Sequence, residues 1–190
     1  MKGVISIGSH YGEEYEGWLS LGAEHFIFFE PVSFNFKKLR KILPKSENIK
    51  LYNLACGNSH GTASMWIEKS HQGKSCSLLE PYLHLKQYPD IEFKTKETVK
   101  VEKLDNIGYD RDLYDHLHVD TQGYEMEVLK GASHSINFIK TITIEVYKSE
   151  LYRGCAMYDD VVSYLEGYSF MLLNVYWRGL TWGDAKFERA

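Results

Sequence analysis

The sequence of 190 residues has few of the features that mark secreted, membrane-bound or nucleic-acid-binding proteins. Its three cysteines, Cys56, Cys76 and Cys155, form no C-x-x-C pair, and no signal peptide is visible. That cysteine usage favours a reducing compartment, so we expect a cytoplasmic protein. No apolar run approaches the ~20 residues that a membrane-spanning helix needs. The formal net charge of -4 gives no sign of a surface for nucleic acid or for an anionic membrane.

Length and composition predict one domain over residues 1–190. A chain of this length with 44% hydrophobic residues can build one well-packed core and is short for two. No repeat, low-complexity tract or linker divides it. We leave open whether this domain is part of a longer chain.

Strand and helix signals alternate along the first third and again after residue 115. Strands are predicted at 3–7, 25–30, 49–55, 116–120 and 141–146, with helices of about ten residues between several of them. Apolar residues on both faces of such strands are typical of a parallel sheet covered by helices on both sides. The last two strands, 169–175 and 183–189, are joined by a short connection and must therefore be antiparallel. The fold class is thus a doubly wound, mostly parallel, Rossmann-like α/β sheet.

The middle of the chain is less regular. Strands are predicted at 62–67 and 99–104, whereas residues 68–98 are polar and show no sustained period. A segment of that length is usually a functional loop. We expect it to form a mobile rim of the site, with Ser75, Ser77 and Leu78 nearest the ligand.

The turn after the first strand, Gly8-Ser9-His10-Tyr11-Gly12, indicates a nucleotide-like cofactor. It lacks the middle glycine that lets the backbone of G-x-G-x-x-G approach a pyrophosphate. Glu30 ends the second strand, where an acid can bind both ribose hydroxyls. S-adenosylmethionine fits this combination, because it has a ribose but no phosphate. Its amine and sulfonium are cationic and suit a pocket lined by carboxylates.

The stretch "HVDTQGYE" (118–125) places two acids at the end of an interior strand. Asp120 could be an N-cap and Glu125 a first-turn acid of the following helix, or either could face the ligand. His116, His118 and Asp120 share one strand face, but His116 should lie about 13 Å from Asp120 by the rise per residue, too far to share a metal ion. A divalent ion held by Asp120 and other loop acids is a further alternative; our prediction is no metal.

Motifs along nearly the whole chain resemble those of the FkbM-type methyltransferases, which use S-adenosylmethionine and mostly methylate hydroxyl oxygens. The block "DTQGYEMEVLKG" (120–131), of the form D-x-Q/E-G-x-E-x-x-x-L-x-G, is the most specific. The other matching stretches are "IGSHYGEE" (7–14), "FEPVSFNFKKL" (29–39), "NLACGNSHGTASM" (53–65), "SLLEP" (77–81), "VEKLDNI" (101–107), "ITIEV" (142–146) and "WGDAKFER" (182–189). The resemblance implies a seven-strand sheet with a reversed last hairpin.

From the motifs and this resemblance we expect an O-methyltransferase acting on a hydroxyl of a sugar or glycan. The predicted cofactor-binding residues are Gly8, Ser9, His10, Tyr11, Gly12, Glu30, Pro31, Ala55, Cys56 and Asp120. The predicted catalytic residues are Asp120, His118 and Glu125. Two positions depart from the family pattern: Ser6 replaces an acid and His118 replaces a lysine. The alternatives are a non-catalytic binding module of the same fold and a nicotinamide-dependent oxidoreductase.

Overall fold

A computed structural model describes all 190 residues and contains ten strands and five α-helices. The strands are β1 (Gly3–Ile7), β2 (His25–Phe29), β3 (Ile49–Tyr52), β4 (Ala55–Cys56), β5 (Gly61–Glu68), β6 (Phe93–Glu102), β7 (His116–Val119), β8 (Thr141–Tyr147), β9 (Phe170–Trp177) and β10 (Trp182–Arg189). The helices are α1 (Tyr15–Ser20), α2 (Ser33–Ile42), α3 (Leu83–Gln87), α4 (Glu125–Gly131) and α5 (Tyr158–Glu166). No helix combines the length and the apolar character that crossing a bilayer would require.

Seven strands form the predicted central sheet, in the order β3-β2-β1-β7-β8-β10-β9. The first five of these are parallel, and β10 runs antiparallel to both β8 and β9. Every residue of β1 is buried, as the apolar run predicted. The seven-strand sheet with its antiparallel C-terminal hairpin is therefore confirmed.

The hydrophobic core has two main parts, one on each face of the sheet. The larger cluster packs α4 and α5 against the centre of the sheet and includes Leu117, Val128 and Leu165, which are fully buried. The smaller cluster packs α1 and α2 against β1 and β2 and includes Phe28 and Leu39. Burying each such side chain stabilises the fold by about 1.5–3 kcal/mol.

The middle of the chain forms a second, three-stranded sheet in the order β4-β6-β5, which we did not predict. The predicted strand 49–55 is divided, because β3 ends at Tyr52 and β4 pairs with β6 in the second sheet. The predicted strand 99–104 begins at Phe93 instead. Its first residues, "FKTKET", are largely polar and exposed, so they carry no apolar signal.

Residues 68–98 are thus more regular than expected, since they contain α3 and the start of β6. Ser77 is fully buried, and its hydroxyl donates to the carbonyl oxygen of Gln122 at 2.7 Å. Ser75 is 6% exposed, and its carbonyl oxygen accepts from the hydroxyl of Tyr152 at 3.2 Å. Both serines thus bond to loops that follow β7 and β8. Ser75 and Leu78 line the cavity at the carboxyl edge of the sheet, whereas Ser77 does not. The mobility of the segment stays a prediction.

Gly8 is required where β1 meets the end of β7. Its φ of 81° lies in the left-handed region, and a Cβ atom there would lie 1.7 Å from the carbonyl oxygen of Asp120. We expect Gly8→Ala to lower the free energy of unfolding by about 1–3 kcal/mol or more, because it adds a steric overlap to backbone strain. Urea unfolding measures the change.

Gly17→Ala is the matched control, because a Cβ atom on Gly17 in α1 meets nothing within 4 Å. It should be neutral or stabilising by up to about 1 kcal/mol. Equal stability of the two variants would contradict the close approach of β1 and β7.

Candidate active site

A cavity of about 330 Å³ lies at the carboxyl ends of β1, β2 and β7, the edge at which doubly wound sheets bind their ligands. Most of the predicted site residues line it: Gly8, Ser9, His10, Glu30, Pro31, Ala55, Cys56, His118 and Asp120. Tyr11, Gly12 and Glu125 do not.

The turn after β1 is held by hydrogen bonds to β2. The backbone nitrogens of Gly8 and Ser9 both donate to the carbonyl oxygen of Phe29 at 3.0 Å. The Ser9 hydroxyl accepts from the backbone nitrogen of Phe29 at 3.1 Å and lies 3.1 Å from the Ser6 hydroxyl. Ser6, at the position where the family usually carries an acid, therefore supports this turn.

Tyr11 and Gly12 have structural contacts instead of cavity contacts. The Tyr11 hydroxyl donates to the carbonyl oxygen of Gln72 at 3.0 Å, and Lys38 Nζ lies 3.6 Å from the centre of its ring. Gly12 has a φ of 76°, and a Cβ atom on it would lie 3.0 Å from Leu39 of α2. Both residues shape the turn from outside the cavity wall.

Glu30 is 4% exposed, and its carboxylate is oriented by backbone donors. One oxygen accepts from the nitrogen of His10 and the other from the nitrogen of Val32, both at 2.8 Å. Burial raises the pKa of this carboxyl to about 8. Asn35, from the same E-P-x-x-x-N motif, is 1% exposed, and its Oδ1 has no hydrogen-bond partner.

Asp120 belongs to a hydrogen-bonded network centred on Gln122. The amide nitrogen of Gln122 donates to Asp120 at 2.7 Å and to Glu145 at 3.0 Å. Its amide oxygen accepts from the Tyr152 hydroxyl at 2.8 Å. The Tyr147 hydroxyl donates to Glu145. The single hydrogen of the Tyr152 hydroxyl is shared between the Gln122 amide oxygen and the carbonyl oxygen of Ser75, 3.2 Å away.

Electrostatics inside the network favour neutral forms. Burial raises the pKa of Asp120 and of Glu145 above their ordinary values, and the Asp120 carboxylate raises the pKa of Glu145 further. Burial also lowers the pKa of His118, the ring next to Asp120 on β7. The His118 ring packs edge-on against Trp18 at 5.2 Å, and its Nδ1 has no partner. His118 thus lines the cavity beside Asp120, as expected of a candidate base.

Glu125 stabilises the loop that carries Asp120. One of its oxygens accepts from the backbone nitrogens of Thr121 and Gly123 at 2.8 and 3.2 Å and from the Thr121 hydroxyl at 3.0 Å. Burial raises its pKa to about 7. Glu125 does not line the cavity. The structure therefore places this predicted catalytic residue behind the active-site loop.

His116 lies at the other end of β7, as the strand geometry predicted. It is 5% exposed, and its Nδ1 lies 2.8 Å from the Thr141 hydroxyl. Ala55 and Cys56 of β4 line the cavity, and both are buried. Burial raises the pKa of the Cys56 thiol well above its ordinary range, so Cys56 is not a nucleophile.

Several cavity residues were not predicted. Glu145 and Tyr147 lie within the apolar run of β8, and an acid inside such a run is the signal that could have revealed Glu145. Gln122 belongs to the D-x-Q/E-G-x-E motif, but nothing else in the sequence indicated that it would line the cavity. His84, Tyr88 and Trp182 come from α3, the residue after it and β10, which no local pattern connects.

Four carboxyl groups lie at or just behind this cavity: Glu30, Glu125 and Glu145 are buried, and Asp120 is half-buried. None of them pairs with a lysine or arginine. Oxygens of Asp120, Glu125 and Glu145 lie within 4.8 Å of one another. These acceptor groups fit a ligand that carries cationic groups and hydroxyls. S-adenosylmethionine is such a ligand, so the residues present fit the expected cofactor.

Residues 6–172 match the model of the methyltransferase FkbM domain family. The chain belongs to this family. The expected membership is confirmed, and with it the methyltransferase class of the domain.

Known proteins similar to the chain are also methyltransferases. It is 24% identical over 165 residues to the 2-O-methyltransferase NoeI of Sinorhizobium fredii, covering 80% of this chain and 65% of NoeI. The methyltransferase FkbM of Methylobacillus flagellatus superposes with a TM-score of 0.66 at 14% identity, over 98% of this chain and 43% of that one. The magnesium protoporphyrin IX methyltransferase of Synechocystis, solved with bound S-adenosylmethionine, superposes with a TM-score of 0.53 at 10% identity, over 98% and 69% of the two chains. The chain thus spans less than two-thirds of the first two relatives.

The raised pKa of Glu30 predicts a pH dependence of stability. Its folded-state pKa of about 8 exceeds the ordinary 4.5, so between these values the folded state binds more protons than the unfolded state. The free energy of unfolding should therefore rise as the pH falls from about 8 to 5. Glu30→Gln should flatten part of that slope, measured by urea unfolding at several pH values.

Glu16→Gln is the matched control for this experiment, because Glu16 is an exposed acid of α1. It should keep the slope of the wild type. The same slope in the wild type and in Glu30→Gln would contradict a buried, protonatable Glu30.

Proposed function

We propose that this domain transfers a methyl group from S-adenosylmethionine to a hydroxyl oxygen, with a sugar or glycan as the acceptor. The observation that carries the proposal is the set of buried carboxyl groups, unpaired with any lysine or arginine, at the carboxyl edge of a methyltransferase-family sheet. The resemblance to a 2-O-methyltransferase supports a hydroxyl acceptor.

Glu30 is positioned to bind the ribose diol. Backbone nitrogens of His10 and Val32 hold its two oxygens, so the carboxylate is oriented before any ligand arrives. A carboxylate can accept about four hydrogen bonds, which leaves capacity for the two hydroxyls of a diol. Pro31, Ala55 and Cys56 continue the wall beside Glu30 and would bound the adenine.

Asp120 is positioned to accept the proton of the acceptor hydroxyl. Bound S-adenosylmethionine supplies an electrophilic methyl group on a positively charged sulfur. The chain must hold the acceptor oxygen in line with that methyl group and remove its proton. Burial holds the pKa of Asp120 above its ordinary value, which makes it a stronger base than an exposed aspartate. The Gln122 amide orients its carboxylate.

A nicotinamide-dependent oxidoreductase fits this site less well. The turn after β1 has no middle glycine, and the buried carboxyl groups would repel a pyrophosphate. A non-catalytic module of the same fold would bind the cofactor without transferring its methyl group. An assay with methyl-labelled cofactor and a panel of sugars separates the two alternatives, because methyl transfer to any sugar supports the enzyme.

Asp120→Asn tests the proposed base. Asparagine keeps an oxygen for the Gln122 amide but cannot accept the proton, so we expect methyl transfer to fall by about 10²–10⁴-fold. Cofactor binding and the unfolding midpoint should change little. The rate is measured with saturating acceptor and labelled cofactor.

Glu125→Gln is the control, because Glu125 is a buried acid at the start of α4, next to the Asp120 loop and outside the cavity. It should lower stability more than turnover. Full turnover in Asp120→Asn would remove Asp120 as the base and leave His118 as the next candidate.

Adding EDTA to the wild type should leave activity intact; loss of activity would show that the carboxylates hold a metal ion.

A further inference from the structure

Five residues that line the cavity lie close to one another, and we call the part of the cavity they line the outer chamber: Trp182, Tyr88, His84, Tyr147 and Leu151. Trp182 lies directly across from Tyr147 in the β8–β10 ladder. Tyr147 is two residues from Glu145 on the same face of β8, about 7 Å by the strand rise. A single sugar ring can bridge that distance, so the outer chamber is where an acceptor held near Asp120 and Glu145 would extend.

Tyr88 contributes a hydroxyl group to this chamber. Its hydroxyl oxygen accepts from the Trp182 indole nitrogen and from the Gln87 amide nitrogen, both at 2.8 Å. The Gln87 amide also lies 2.7 Å from the Thr181 hydroxyl, which can donate or accept, so the amide can take either orientation. Only the Trp182 indole nitrogen must donate to Tyr88. The Tyr88 hydrogen is therefore available to a ligand hydroxyl when the amide nitrogen of Gln87 faces Tyr88.

His84 contributes a second unsatisfied polar group. It is 3% exposed, and its Nδ1 has no hydrogen-bond partner. Its ring lies 5.0 Å from that of Tyr88 and 5.3 Å from that of Tyr152. Burial lowers its pKa to about 4, so the ring is neutral and offers one donor and one acceptor. A buried polar atom without a partner is rare enough to indicate a role.

Trp182 supplies an apolar surface of defined orientation, because its indole nitrogen is tied to Tyr88. An aromatic face, a tyrosine hydroxyl and a neutral imidazole match a ring that has both an apolar C–H face and several hydroxyl groups. A purely structural cluster would need no unpartnered nitrogen on His84.

We infer that the outer chamber is the acceptor subsite, in which a pyranose ring stacks on Trp182 while its hydroxyls bond to Tyr88 and His84. This rests on the proposed function and adds to it a named subsite and ligand class. The subsite binds the sugar and leaves the proton transfer to Asp120, so Trp182 and Tyr88 are specificity-determining residues.

Saturation-transfer NMR with a panel of methyl glycosides tests the inference. The panel contains the methyl pyranosides of glucose, galactose, mannose, rhamnose and fucose, each with S-adenosylhomocysteine present. We expect transfer to the ring C–H protons of at least one glycoside. Trp182→Ala should abolish it, and Tyr88→Phe should weaken that glycoside's affinity by about fivefold.

Tyr176→Phe is the matched control, because Tyr176 lies on the same hairpin, is 67% exposed and does not line the cavity. It should bind glycosides as the wild type does. All variants should bind S-adenosylhomocysteine with unchanged affinity, which also shows that they are folded. If Trp182→Ala does not fold, Trp182→Leu gives the same comparison.

The outcomes separate this inference from the proposed function. If calorimetry shows that the wild type does not bind S-adenosylhomocysteine, the proposed function is contradicted. The inference of a sugar subsite is then tested by the glycoside binding alone. No glycoside binding, or binding that survives the loss of Trp182 in a folded variant, would overturn the inference whatever the calorimetry shows.

Discussion

Burying carboxyl groups without cationic partners is the constraint on which the rest of this structure depends. Glu30, Asp120, Glu125 and Glu145 all lie at the carboxyl edge of the sheet, and taking a charge out of water is costly unless donors replace the solvent. The chain supplies neutral donors: backbone nitrogens for Glu30 and Glu125, the Gln122 amide for Asp120, and a tyrosine hydroxyl for Glu145. This solution orients the acids without pairing them with a cationic side chain.

Two residues of these loops adopt unfavourable backbone conformations that orient the hydrogen-bond donors. His10 and Gln122 adopt left-handed φ values of 45° and 55°, although neither is glycine. The His10 backbone nitrogen points at Glu30, and the Gln122 amide lies between Asp120 and Glu145. Strained non-glycine residues persist where the surroundings determine them strongly, and they concentrate at functional sites. The segment of residues 75–79 adds to that support through the Ser77 bond to Gln122.

Sequence reasoning recovered the features that have a local signature. The apolar runs predicted the central sheet, and acids at strand ends predicted that Glu30 and Asp120 would line the cavity. Spacing alone could not show which way Glu125 faces, since a first-turn acid can bond its own loop or a ligand. The start of β6 was missed because it lies on an exposed sheet and is polar. His84, Tyr88 and Trp182 meet only in the tertiary fold, so no sequence window contained them together.

Proton release on cofactor binding tests the central claim most directly. If the buried carboxyl groups retain protons in the free protein and then pair with a cationic ligand, binding must release protons. Calorimetric titration with S-adenosylmethionine at pH 7, in buffers of different ionisation enthalpy, measures that release, with NAD titrated in parallel. The account predicts one binding site for S-adenosylmethionine, net proton release, and no heat from NAD. Binding of NAD, or binding of S-adenosylmethionine without any proton release, would contradict it.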